Sequence, residues 1–157
     1  MSDPAKQITT RIDGGQLLIG NGRLDNFTIQ ELRGAIGDPD QVEEIPMHGG
    51  WIRFRDWWHQ LGVSTLRDCE TKLESIRLET EKVDISILQL PLPGSERQFA
   101  KCFPSATGEF GHWCQLIVAP WVLDVEFRRP IIGGKRTSTY VPAAVHIGLW
   151  AEDSVAA

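Results

Sequence analysis

No apolar run in the chain approaches the about 20 residues that a membrane-spanning helix needs. The first residues also lack the basic-then-apolar order of a secretion signal. A cytoplasmic protein with no membrane partner is the expectation. Cysteine is scarce: Cys69, Cys102 and Cys114 are odd in number and fit no paired zinc spacing. They read as free or buried thiols, with no metal and no cofactor. P-loop, G-x-S-x-G and G-x-G-x-x-G signatures are missing, so nucleotide and hydrolase chemistry has no support in the sequence. Asp68, Glu70 and Lys72 make the acid-x-Lys pattern of metal-dependent nucleases. The basic groove that should accompany it is missing, and the acidic front third argues against a nucleic-acid partner.

What is present is an ordinary globular composition. The chain has 157 residues, 41% apolar and 24% charged, enough for one domain over 1–157 with its own core. The ends, about 1–6 and 153–157, are polar or small and are expected to fray. The net charge is −5 and is unevenly placed: residues 1–50 carry −4, residues 51–100 carry −1, and the remainder balances. An acidic front third suits a basic protein partner through electrostatic steering.

Glycine pairs punctuate the chain at 14–15, 49–50 and 133–134, with Asn21-Gly22 as a further turn signal. Short alternating stretches flank them, as strands flank tight hairpins. Residues 73–80 and 83–90 alternate in the same way and read as a further hairpin. Residues 114–127 read as a buried strand, a break at Pro120 and a second strand, and 143–152 as a last short strand. The run from 91 to 113, with its prolines and glycines, reads as loop.

One helix is well specified, over about 28–36. Thr28 and Glu31 form a capping box, Phe27 can staple onto Leu32, and Ile29, Leu32, Ala35 and Ile36 make one stripe. Gly37 and Pro39 stop it. Gly34 inside it suggests close packing over that residue. Trp57 and Trp58 are adjacent, so they cannot share one environment. Asp56 is expected to cap a helical turn over about 56–61, with Trp58 and Leu61 facing inward and Trp57 half exposed. The sum is an α+β protein with a mainly antiparallel, twisted sheet of about seven to nine strands.

Binding chemistry has more support than catalysis. Trp51 and Arg53 alternate with apolar neighbours, and Trp and Arg are favoured interface anchors. Asp38, Asp40, Glu43 and Glu44 form an acidic run past the helix, at the unfavourable end of its dipole. The alternative centres on His112 and Cys114, which could serve a small enzyme or ligand-binding domain. A structural or adaptor role is a third option.

Residues 15–65 resemble a loose group of small bacterial proteins. They share a strand, an N-G turn (Asn21, Gly22), a helix capped at Thr28 with Leu32 and Ile36, a stop at Gly37, Pro39 and Asp40, then Trp58, Leu61 and Gly62. Some members look like immunity proteins, which bind a cognate toxin and block it. The resemblance implies a non-enzymatic protein that occludes a toxin with a basic active-site cleft. Asp38, Asp40, Glu43, Glu44, Trp51, Arg53 and Trp57 are the expected partner-binding residues.

Overall fold

The computed structural model describes residues 6–68, 71–109 and 113–149. In chain order the elements begin with β1 (Ile8–Asp13), β2 (Gln16–Ile19), β3 (Gly22–Arg23), α1 (Ile29–Ile36), β4 (Gln41–Pro46) and β5 (Ile52–Trp58). Next come β6 (Val63–Arg67), β7 (Ser75–Glu79), β8 (Val83–Ile87), β9 (Leu90–Pro91) and α2 (Glu96–Cys102). The chain continues with β10 (Thr107–Glu109), β11 (Trp113–Val118), β12 (Trp121–Arg128), β13 (Ile131–Ile132), β14 (Lys135–Arg136) and β15 (Val141–Leu149).

The fold is α+β, as expected. An eight-stranded antiparallel sheet runs in the order β10-β11-β12-β15-β7-β6-β5-β4. A smaller sheet runs β3-β2-β1-β8-β9, with β1 and β8 parallel. The large sheet's eight strands fall within the expected seven to nine; the described residues hold fifteen in all, because the smaller sheet and two-residue strands such as β3 and β9 add to them. Inward residues of both sheets, with Leu32 of α1 and Phe99 of α2, join one apolar cluster. No helix among the described residues is long and apolar enough to cross a membrane.

The capping box of α1 is complete. Glu31 N donates to Thr28 Oγ1 at 3.2 Å, and Thr28 N donates to Glu31 Oε1 at 3.0 Å. Glu31 also accepts from the backbone N–H groups of Asp25 and Asn26, so one carboxylate fixes the approach to the helix. Ile29, Leu32 and Ala35 are buried. Gly34 is a correction: a Cβ there would meet nothing within 4 Å. The close approach is at Gly22, where a Cβ would lie 2.6 Å from that of Ala35. The β2–β3 turn therefore seats the helix, and only glycine leaves room for it.

The proposed helical turn over 56–61 is strand through Trp58, followed by a turn over 59–62. Strand alternation places Asp56 and Trp58 on the same inward side, where both are buried. Asp56 meets Arg67 there, so it does not cap a helix. Trp58 and the partly buried Leu61 still pack against the core.

The 73–80 and 83–90 strands do not form a hairpin with each other. β7 pairs with β6 and β15, whereas β8 pairs with β1 and β9. The turn at 80–82 hands the chain from one sheet to the other. Alternation looks the same whether two strands lie side by side or in facing sheets. The break at Pro120 is confirmed between β11 and β12. The last strand, Val141–Leu149, starts two residues earlier than expected, and the expected end at 150–152 lies outside the described residues.

A strained turn gives a stability prediction. β8 and β9 are joined by Leu88 and Gln89, which have φ of 51° and 68°. Two successive positive φ values suit Asn-Gly, and other residues cost roughly 1 kcal/mol each there. Leu88 is 47% exposed, so little packing is lost on replacing it. The Leu88→Asn, Gln89→Gly double variant is expected to gain about 1 kcal/mol in urea denaturation.

Candidate functional site

The seven residues expected to bind a partner gather on the β4–β5 hairpin and the segment leading into it. β4 is the outer edge of the large sheet. Glu43 and Glu44 are exposed on it, as are Asp38 and Asp40 just before it. Among the described residues, none of these four carboxylates has a basic group within 4.0 Å. Asp40 is nonetheless engaged, because its Oδ2 accepts the His59 backbone N–H at 2.8 Å.

The four acids do not share one face. Pairing sets Glu43 opposite Arg55 and Glu44 opposite Phe54, and successive strand residues point to opposite sides. The acids therefore form a rim around the strand edge. Trp51, Arg53, Arg55 and Trp57 do alternate onto one side. The Arg53 guanidinium carbon is 5.8 Å from the Trp51 ring centre, and that of Arg55 is 5.6 Å from Trp57. Trp57 stacks on His59, with ring centres 5.2 Å apart and planes 8° apart. Arg53 is also held by Glu74 at 2.7 Å. These contacts fix the aromatic rings before any partner arrives, which lowers the ordering cost of binding.

The open face of the large sheet continues this surface. Registers place Gln115, Asp124, His146, Arg77, Ser64, Trp57 and Gln41 in a line across seven strands. His146 Nε2 lies 2.6 Å from Glu126 Oε1, and Gln115 Nε2 donates to Asp124 Oδ1 at 3.2 Å. Sequence reasoning missed this row, because it depends on strand order and register.

The alternative site fares differently. His112 lies outside the described residues, as do Cys69 and Glu70. Cys114 lines a cavity of about 140 Å³ with Glu96, Phe99, Ala106 and Trp113. Burial, with the Glu96 and Asp124 charges adding to it, pushes its thiol up to about 12. A thiol raised in this way stays protonated at neutral pH, which suits a packing thiol better than a nucleophile. Cys102 is exposed. Brief iodoacetamide treatment of the native protein should therefore modify Cys102 and spare Cys114, as read by peptide mass mapping. Equal modification of the two would refute the burial. Among the described residues no three of His, Cys, Asp and Glu cluster as metal ligands.

No family model, curated protein or solved structure matches this chain.

Proposed function

We propose that this is a non-enzymatic protein-binding protein, an immunity-type inhibitor that occludes a bacterial toxin bearing a basic active-site cleft. The reading rests on one observation: four carboxylates without basic partners rim an exposed sheet edge that adjoins preset Trp and Arg side chains. The acids steer the encounter and Trp51 and Trp57 anchor it. Its site of action would be the cytoplasm.

The edge also discriminates against a second copy of itself. Met47 N donates to Trp51 O, so odd-numbered residues bond inward and Val42, Glu44 and Pro46 direct their backbone outward. Pro46 has no N–H to offer there. Centred two-fold pairing of two such edges sets Glu44 against Glu44 or Glu43 against Glu43, and like charges directly opposite repel. A basic surface meets no such penalty.

The test begins with the reading frame adjacent to this gene. Its product, if toxic, should co-purify with the protein. The Asp38→Lys, Glu43→Lys, Glu44→Lys variant should associate more than about tenfold more slowly, with a weaker salt dependence. Asp40 is left unchanged because it holds the His59 backbone. Unaltered association kinetics would refute the acidic-rim mechanism.

A further inference from the structure

The β13–β14 hairpin belongs to neither large sheet and pairs only with itself. Its sequence, Arg128-Arg129-Pro130-Ile131-Ile132-Gly133-Gly134-Lys135-Arg136, holds four cations and no acid. Ile131 and Ile132 are 65% and 69% exposed, more than the other large apolar side chains of the described residues. Arg128 is paired with Glu81. Arg129, Lys135 and Arg136 have no carboxylate within 4.0 Å among the described residues, and Arg129 lies over the Tyr140 ring.

We propose that this hairpin docks the protein onto an anionic lipid surface, with Ile131 and Ile132 entering the headgroup region and the flanking cations meeting lipid phosphates. The geometry distinguishes lipid from a flat protein surface. The two isoleucines are adjacent on one strand, so they point to opposite faces of the hairpin. A flat docking surface buries one of them, while a fluid medium around the tip buries both. Each isoleucine has a cation directly across: Arg136 opposite Ile131 and Lys135 opposite Ile132. The long basic side chains can follow the apolar ones and still keep their charges at headgroup level. Gly133 and Gly134, with φ of 60° and 80°, turn the tip without adding bulk.

The net charge of −5 does not forbid this. The hairpin connects β12 to β15, and the acidic edge β4 lies four strand spacings beyond β15. That is about 19 Å, roughly two Debye lengths at physiological salt. The expectation of no membrane partner drew on the lack of a spanning segment, and peripheral docking needs none.

The experiment is co-sedimentation of the full chain with phosphatidylcholine vesicles, with and without phosphatidylserine. Sedimentation is expected only with phosphatidylserine and should weaken as salt rises. The Lys135→Gln, Arg136→Gln variant should bind about 25-fold more weakly, and Ile131→Ser, Ile132→Ser, which leaves the charge unchanged, should abolish binding. All four side chains are exposed, so thermal melting should be unchanged and loss of folding is excluded as the cause. Equal binding to neutral vesicles, or none to anionic ones, would overturn the proposal. So would binding that survives the isoleucine changes, since the contact would then owe nothing to insertion of the two apolar side chains.

Discussion

Replacing Asp56 with alanine is expected to cost about 3–5 kcal/mol of folding stability, a large share of the roughly 5–15 kcal/mol such a domain has. Asp56 is fully buried in the second strand of the candidate binding hairpin. Its Oδ2 accepts from Arg67 Nε at 2.8 Å and from Thr65 Oγ1 at 2.7 Å, and its Oδ1 accepts from Arg67 Nη2 at 3.0 Å. Phe54 lies against the same guanidinium, 4.7 Å from ring centre to Cζ. Removing the carboxylate takes away a buried charge and the acceptor of three hydrogen bonds, two of them from the nearly buried Arg67 guanidinium, and the desolvation left behind dominates the loss. The pair itself contributes less than the penalty for breaking it. Changing both partners, Asp56→Leu with Arg67→Met, should therefore restore much of what Asp56→Ala loses. Urea denaturation of the two singles and the double variant completes the cycle. A loss below about 1 kcal/mol for Asp56→Ala would mean that the site is wet.

Trp58→Ala is expected to cost a further 3–5 kcal/mol, about the range for truncating a core aromatic. Trp58 is 2% exposed, and its Nε1 donates to Gly37 O at 2.9 Å. That carbonyl belongs to the C-cap of α1, so the indole ties the end of the helix to the fifth strand. Truncation opens a cavity and leaves a helix-end carbonyl without its donor. Trp57→Ala, one residue away, should cost less, about 1 kcal/mol, because its ring is only partly buried, on the other face. It should instead weaken partner binding. Thermal denaturation and binding measured on both variants separate the two roles, and comparable destabilisation by both would refute the assignment.

The readable parts of the fold are those with local signatures. The helix at Ile29–Ile36 could be placed to within a residue because cap, stripe and stop lie within a dozen positions. The inward choice of Trp58 was also legible, although through the wrong local structure: period 2 and a single helical turn both separate Trp57 from Trp58. The second helix, Glu96–Cys102, was hidden among prolines and glycines. Its signal was Ser95 with Gln98, a capping pair whose Ser95 Oγ accepts Gln98 N at 3.2 Å, followed by Phe99 and Phe103 one turn apart. Strand pairing was not legible. Nothing in residues 73–90 distinguishes a hairpin from two strands facing each other across the core. The candidate site follows the same division. Its residues were visible as types, but their distribution over two sides of one sheet edge follows from register.

The parallel pairing of β1 with β8 has a consequence for synthesis. Ile8 has its partner in Val83, 75 positions later. At ordinary translation speeds that interval lasts about 4–15 s. During it the first three strands can meander together, but the flank of β1 that β8 will cover stays open to any other strand. The centre of the small sheet therefore leaves the ribosome well before the strand that closes it.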